Sequence, residues 1–458
     1  MAAHDWAEAS SLRPNGANAL PTQTIATDGR MVGWLAGLLA QDRHYHSVMA
    51  TLTASENYPS TAVRAAAAFI GGEHYFFDAP SPGHCAEWSF PRSQTMPALQ
   101  AKFLAQMKRL FVADIADWRP NGGSACEQAV VMAACETGDA FVELAPEDGG
   151  HFGAAVLANR LGIESLTFPM QGDLIDVERT ARLVGQHSNI RLVLVQPSHC
   201  RRSQPIEELA AALPERVTVA VDVSHTAGLI AAGLLPQPLE QGADILTLNT
   251  HKTLPGPNKG VIAFADRSHP LAEKVWDVVC PQLQSNSHAE CLPGLVIALE
   301  EVARFGRAYA EQVTTNARTL ARVLDSCGLD VPGMEYGGTE THQVHVTIGS
   351  AHDANHLANE TLPTCAFRTN SVHIPGTDGR FGLRLGTQAL TRRGLTEPEF
   401  AELGRLLAQG VRWSAGAARI RQQVADLLAD YPLFPLRFSF DELGYSEHVG
   451  RLLTEALR

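Results

Sequence analysis

Lys252 stands in Asn249-Thr250-His251-Lys252-Thr253-Leu254-Pro255-Gly256-Pro257, directly after the apolar run Ala243 to Leu248. The run reads as a buried strand ending at a Gly/Pro loop, which holds the lysine where a ligand could sit. A lysine amine attacks aldehydes only after losing its proton, and desolvation beside hydroxyl and imidazole groups, with no carboxylate adjacent, favours that loss. An isolated loop lysine would mean little. This one matters because matching parts of a cofactor site occur elsewhere in the chain.

Asn121-Gly122-Gly123-Ser124-Ala125-Cys126-Glu127 precedes an Ala-rich helical run, Gln128 to Ala134. A Gly-Gly-Ser turn at a helix start offers free N–H groups and the positive dipole end to a phosphate, although such turns also simply begin helices. The spacings of a P-loop and of a dinucleotide fingerprint are absent. Val217 to Val221 ends in Asp222-Val223-Ser224-His225. A carboxylate at a buried strand end is costly unless neutralised, and a protonated pyridine nitrogen would neutralise it; a helix cap is the alternative. His225 could donate to a ring phenolic oxygen or to a bound carboxylate. Gly149-Gly150-His151-Phe152-Gly153 places an imidazole between glycines, where it could lie flat on an aromatic cofactor. Arg384, in the strand-like Phe381 to Thr387, is either a salt-bridged structural residue or a fork for a substrate carboxylate. The aldehyde that suits this set is pyridoxal phosphate.

The elements that must position these residues follow from periodicity. Met31 to Leu39 and Met96 to Leu110 read as amphipathic helices. Short apolar runs at Phe141 to Leu144, Ser165 to Phe168, Arg191 to Val195, Val217 to Val221, Asp244 to Leu248 and Gly260 to Phe264 alternate with helical patterns. That alternation predicts an α/β fold with a mostly parallel sheet covered on both faces, whose ligands collect beyond the strand carboxyl ends. Val302 to Leu324 is a long helical pattern, and a strand near Gln343 to Ile348 begins a smaller α+β lobe. The expected organisation is an N-terminal arm and helix over 1–50, a large domain over 51–300 and a small domain over 301–458.

With 458 residues, 45% hydrophobic and 19% charged, the composition is that of a globular protein. A net charge of -13 argues against general nucleic-acid binding. No segment approaches the roughly 20 apolar residues of a membrane span. Met1 to Glu8 lacks the pattern of an export signal, so the cytoplasm is the expected compartment. Eight scattered cysteines without a C-x-x-C pair indicate neither a disulfide framework nor a zinc site, and the eighteen histidines lack ligand spacing, so no metal is expected.

The features occur in one order: phosphate turn, stacking histidine, strand-end aspartate, lysine, then arginine. That order resembles the fold type I pyridoxal-phosphate enzymes, and specifically the serine hydroxymethyltransferase superfamily, from about Leu52 to Arg412. The most specific segments are Thr53-Ala54-Ser55-Glu56-Asn57-Tyr58, Val221-Asp222-Val223-Ser224-His225-Thr226-Ala227-Gly228-Leu229-Ile230, Thr250-His251-Lys252-Thr253, and Leu383-Arg384-Leu385-Gly386-Thr387 with Thr391-Arg392-Arg393-Gly394. The resemblance implies that Lys252 is the Schiff-base lysine, flanked by Thr250 and His251 in the cofactor site, and Asp222 the pyridinium partner. It places His151 on the ring and His225 near the phenolic oxygen. Gly123 and Ser124 match the phosphate loop, Ser198 a further cofactor-side serine, and Ser55 and Arg384 the substrate-carboxylate contacts. It further implies a homodimer with shared active sites.

Hydroxymethyltransferases carry a Tyr-x-Glu-Gly-Tyr-Pro-Gly segment with a following Tyr-Tyr-Gly-Gly that handles folate. Here His74-Tyr75-Phe76-Phe77-Asp78-Ala79-Pro80 keeps Tyr75, but the glutamate position falls on Phe77 or, with a shifted alignment, Asp78. Gln282 to Glu290, including Ser285 and Asn286, replaces a glycine-rich loop that lends phosphate contacts to the neighbouring subunit. Asn249 and Asn258 stand where the family has Thr and Arg. With Asp117 to Ser124, Gly256 to Gly260, Thr341 to His345 and Pro432 to Asp441, these departures resemble the L-threonine transaldolases of antibiotic and nucleoside-antibiotic pathways. Such an enzyme would cleave L-threonine to acetaldehyde and a glycyl quinonoid, which adds to a second aldehyde to give a β-hydroxy-α-amino acid. His151 is then the first candidate for the hydroxyl base, with Tyr75 and Asp78 lining the aldehyde pocket. The competing readings are a folate-dependent hydroxymethyltransferase acting on serine or α-methylserine, a threonine aldolase, and a catalytically silent cofactor-binding protein.

Overall fold

The computed structural model describes residues 30–67, 70–75, 93–413, 416–443 and 446–456. The first unit contributes most of a helix, Arg30–Val48, that extends the expected Met31–Leu39 in both directions. The second, from Ser47 onward, contains the sheets.

Among the described residues, a seven-stranded sheet is built from β1 (Ile115–Asp117), β2 (Ala140–Glu143), β3 (Glu164–Thr167), β4 (Ile190–Val195), β5 (Thr218–Asp222), β6 (Ile245–Asn249) and β7 (Gly260–Phe264), in the order β1-β7-β6-β5-β4-β2-β3. Strands β2 to β6 pair in parallel, while β7 runs antiparallel to both neighbours. The α/β fold with a mostly parallel mixed sheet is therefore as expected. Its strands read as continuous apolar runs because both faces are covered. Val219 and Val221 pack into one core with Val193, Val195, Leu246 and Leu248. The alternate residues Ala220, Leu192, Leu194 and Ile245 enter a second core on the opposite face. Period-two alternation puts Asp222 on the Ala220 face.

That face is covered by helices α1 (Gly123–Ala134) and α2 (Gly153–Leu161). The long helix α3 (Cys291–Ser326) begins well before the expected Val302. Pro293 lies in its first turn, where a missing N–H costs nothing, and the neighbouring Gly294 lets the helix approach the chain at Val63, whose carbonyl oxygen would lie 3.0 Å from an added Cβ. The beginning of α3 packs into the first core through Leu295 and Leu299, and its end packs into a separate core through Leu320 and Leu324.

The separate core surrounds an antiparallel sheet of β8 (Gln343–Gly349), β9 (Asn370–His373) and β10 (Phe381–Gly386), in the order β8-β10-β9. Arg384, on the central strand, faces His345 on one side and Asn370 on the other. Helix α4 (Glu397–Val411), started by a Thr396/Glu399 capping box, closes this core. Residues Ala50–Thr51 pair in parallel with Phe367–Arg368, and Gly386 N–H donates to Leu52 O at 2.7 Å. These bonds fasten the Ser55-Glu56-Asn57 segment to the C-terminal sheet. Among the described residues no helix is long and apolar enough to cross a membrane.

Candidate active site

Asp222 ends β5 only 8% exposed, so its charge must find partners inside the protein. Its Oδ1 accepts from Ser224 N–H at 3.0 Å, and Oδ2 accepts from the hydroxyls of Ser224 at 2.8 Å and Thr247, its register partner on β6, at 2.9 Å. No cation of a described residue lies within salt-bridge distance of it. Ser224 Oγ in turn accepts from Asn249 N–H at 2.8 Å, and Asn249 Oδ1 accepts from Gly123 N–H at 2.8 Å. The strand-end carboxylate and the glycine turn that opens α1 are thus one hydrogen-bonded unit. A Cβ at residue 123 would fall 2.6 Å from Asn249 Nδ2, so this turn requires glycine.

Lys252 projects from a loop whose backbone is fixed on both sides. The Thr250 hydroxyl donates to the carbonyls of Pro257 and Lys259, and Gly256 N–H donates to Thr250 O at 2.7 Å. Thr253 Oγ1 donates to His225 O at 2.7 Å, while Asn57 Nδ2 donates to Lys252 O at 2.6 Å and contacts Tyr309 Oη at 3.0 Å. The side chain is half-buried with protein packed around its amine. Burial pulls its pKa from 10.5 to about 8; Asp222 and Glu127 oppose the shift and Arg384 reinforces it.

Around this amine lie neutral imidazoles. His225 is 4% exposed and stacks on His342, with ring centroids 5.6 Å apart and planes at 16°. Burial first, then the Lys252 and Arg384 charges, hold its pKa well below the usual range, and its Nδ1 has no hydrogen-bond partner. His342 Nε2 lies 3.1 Å from Ala54 O, and burial holds that ring at about 3.

His151 behaves differently. Its Nδ1 lies 3.3 Å from Glu127 Oε2 and also accepts from Gly153 N–H at 3.2 Å. Glu127 is 3% exposed on α1, and burial pushes its pKa up against the opposing hydrogen bond and charge of His151. Hydrogen bonding to Glu127 raises the His151 pKa against the opposing effect of burial. A neutral ring can accept from Gly153, and a protonated ring can turn the same nitrogen toward Glu127.

Arg384 is 6% exposed, and burial alone pulls its pKa down to about 10. Nη1 donates to Ser198 O at 3.1 Å and Nε to Asn370 Oδ1 at 3.4 Å. No carboxylate of a described residue is within salt-bridge distance. A buried fork satisfied only by neutral acceptors is prepared for an incoming carboxylate.

The structure thus gathers Lys252, Asp222, His225, His151, Arg384, Gly123 and Ser198, the last through its carbonyl. Ser124 is exposed at the turn; Ser55 and His251 are half-buried near the lysine loop, with burial lowering the His251 pKa to about 4. The Thr250 hydroxyl is used within the loop. Ser285 is exposed, and Asn286 Oδ1 accepts from His288 N–H at 3.1 Å within a loop fastened by Gln284 Nε2 to Arg119 O at 2.8 Å. Tyr75 is 45% exposed beyond the short helix Ile70–Glu73, and Asp78 lies outside the described residues. Sequence reasoning assigned no role to Glu127, Asn57, Asn370 or His342. Glu127 had a signal, an acid within the otherwise apolar Ala125 to Ala134; the others had none beyond their motifs.

The orphaned features test the cofactor. A carboxylate without a cation, an imidazole nitrogen without a partner and a desolvated lysine would be met by pyridinium nitrogen, phenolic oxygen and aldehyde carbon of pyridoxal phosphate. Fold and site together therefore define a fold type I pyridoxal-phosphate enzyme. The serine hydroxymethyltransferase family profile matches residues 34–407. A serine hydroxymethyltransferase from Methanocella arvoryzae is 29% identical over 418 residues, covering 89% of this chain and 96% of its own length. One from Pyrococcus abyssi is 33% identical over 350 residues, covering 73% and 80%. The crystal structure of L-threonine transaldolase from Pseudomonas fluorescens in its internal aldimine state superimposes with a TM-score of 0.91 at 41% identity, covering 94% of this chain and 98% of that one. The chain belongs to the serine hydroxymethyltransferase family and is a pyridoxal-phosphate-dependent transferase.

Proposed function

We propose that this enzyme is an L-threonine transaldolase. The observation that carries the reading is its 41% identity to the Pseudomonas fluorescens L-threonine transaldolase over nearly the whole of both chains, against 29% and 33% to the two hydroxymethyltransferases above. Asn249, one of the departures from the hydroxymethyltransferase pattern, is wired between Asp222 and the phosphate turn, which supports a reorganised site.

When bound, pyridoxal phosphate supplies an electron sink that weakens the Cα–Cβ bond of a bound β-hydroxy amino acid. Asp222 would face the ring nitrogen and keep it protonated, and Arg384 would grip the substrate carboxylate with Ser55 nearby. Lys252 would hold the cofactor through its amine, and its lowered pKa keeps free amine available near neutrality. His151 Nε2 takes the β-hydroxyl proton as acetaldehyde departs, while Glu127 steadies the positive charge through Nδ1. The same nitrogen returns the proton to the new alkoxide when the second aldehyde has added.

The working unit in this proposal is a homodimer in which Tyr75 and Asp78 complete the aldehyde pocket, with the chain organised as 1–50, 51–300 and 301–458. The family profile favours a second reading, folate-dependent hydroxymethyl transfer. Incubation with L-threonine and an added aldehyde, with and without tetrahydrofolate, separates the two. Folate-independent acetaldehyde release, matched by a new β-hydroxy-α-amino acid, is expected; acetaldehyde or adduct that requires folate would sink the proposal.

A further inference from the structure

Lys259 closes the loop that carries Lys252 and is only 2% exposed. Its ammonium donates to Ser287 O at 2.8 Å and to Asn121 Oδ1 at 3.4 Å, and lies 5.9 Å from the centre of the Trp118 ring. All three are neutral, and no carboxylate of a described residue lies within 4 Å of it. Burial depresses its pKa, with the more distant charges of Cys291, Glu290 and Asp117 opposing the shift.

The position of this charge makes it costlier still. Asn121 immediately precedes Gly122, the N-cap of α1, whose first N–H groups and dipole present positive potential to the same turn. Contact with the turn is direct: Gly260 N–H donates to Pro120 O at 2.9 Å, and a Cβ at Gly260 would fall 2.5 Å from Gly122 O. A buried cation beside the positive end of a twelve-residue helix is unfavourable until an anion joins them.

We propose that Lys259 is a fixed counter-charge for the cofactor phosphate, acting on the turn from beneath rather than by touching the phosphate. Lys259 is then a positioning residue: with the helix terminus it keeps the phosphate dianionic and seated, and the phosphate supplies a nearer anion than any carboxylate of a described residue. This inference rests on the cofactor alone and is independent of which aldehyde the enzyme uses.

The test uses Lys259→Met, which removes charge and donors, and Lys259→Gln, which keeps a donor for Ser287 O. Holoenzymes are examined by ³¹P NMR across pH, and cofactor-stripped proteins by pyridoxal phosphate titration and by thermal unfolding with inorganic phosphate or chloride. Both variants should bind the cofactor about tenfold to a hundredfold more weakly. They should also move the phosphate's second ionisation to higher pH and lose the stabilisation that inorganic phosphate gives the wild-type apoprotein. Unchanged affinity overturns the proposal. So does weakened affinity with an unmoved ³¹P titration in Lys259→Gln, which would reduce Lys259 to a tether for the Gln284–His288 loop.

Discussion

The pH at which the apoprotein captures its cofactor reports directly on the environment of Lys252. A lysine at its ordinary 10.5 is about 0.03% free amine at pH 7, whereas one held at about 8 is about 10% free, an advantage of roughly 300-fold in the reactive form. The rate of appearance of the visible absorbance when pyridoxal phosphate is mixed with apoprotein should therefore rise with pH and level off above about 8. Two charge changes set the sign. Arg384→Met removes a cation that disfavours the ammonium, so the midpoint should move up and capture at pH 7 should slow by up to about tenfold. Glu127→Gln removes an anion that favours the ammonium, so the midpoint should move down. Stability follows the same linkage. Between about 8 and 10.5 the unfolded chain binds more protons at this residue than the folded one, so apoprotein stability gains a contribution as pH rises through that window. A capture midpoint near 10, or a downward shift in Arg384→Met, would refute the desolvation argument.

Glu127→Gln should also lower the His151 pKa, because the carboxylate is the chief cause of its elevation. The acid limb of the steady-state pH profile should then move to lower pH while the maximal rate falls about tenfold to a hundredfold, and an unmoved limb would remove His151 from the role of base. Asp222→Asn keeps acceptor capacity for Ser224 and Thr247 but loses the charge; a fall in kcat of about a hundredfold or more is expected with cofactor still bound, and near-wild-type turnover would deny the ring-nitrogen role. Arg392 and Glu301 form a 2.7 Å ion pair with both side chains 1% exposed, and Glu301 also accepts Phe440 N–H at 2.9 Å. Glu301→Ala should cost about 3–5 kcal/mol in chemical denaturation, since it strands a buried guanidinium, and a loss below about 1 kcal/mol would show that the site rehydrates.

What the sequence revealed and what it withheld divide along a physical line. Lys252 and Asp222 were legible because Asp222 ends an apolar strand and Lys252 follows one by three residues, and a charge so placed is visible in one dimension. The strand Ile115–Asp117 escaped because three residues carry no period, and the start of α3 escaped because Pro293 and Gly294 resemble a loop. The pairing of Glu127 with His151 depends on which face of α1 meets the loop before α2, and Asn57 reaches Lys252 O across 195 positions. Periodicity is blind to both. The structure adds a kind of evidence that motifs do not contain, namely polar groups that are individually costly as they stand. Among the described residues Asp222 has no cation and Arg384 no carboxylate within salt-bridge distance, His225 Nδ1 has no hydrogen-bond partner, and no carboxylate lies within 4 Å of the Lys259 ammonium. Separately each is a defect in a folded chain. They become mutually consistent only when one molecule brings a ring nitrogen, a phenolic oxygen and a phosphate, and a second brings a carboxylate, so the pattern of unmet valences specifies the ligands more narrowly than any one motif.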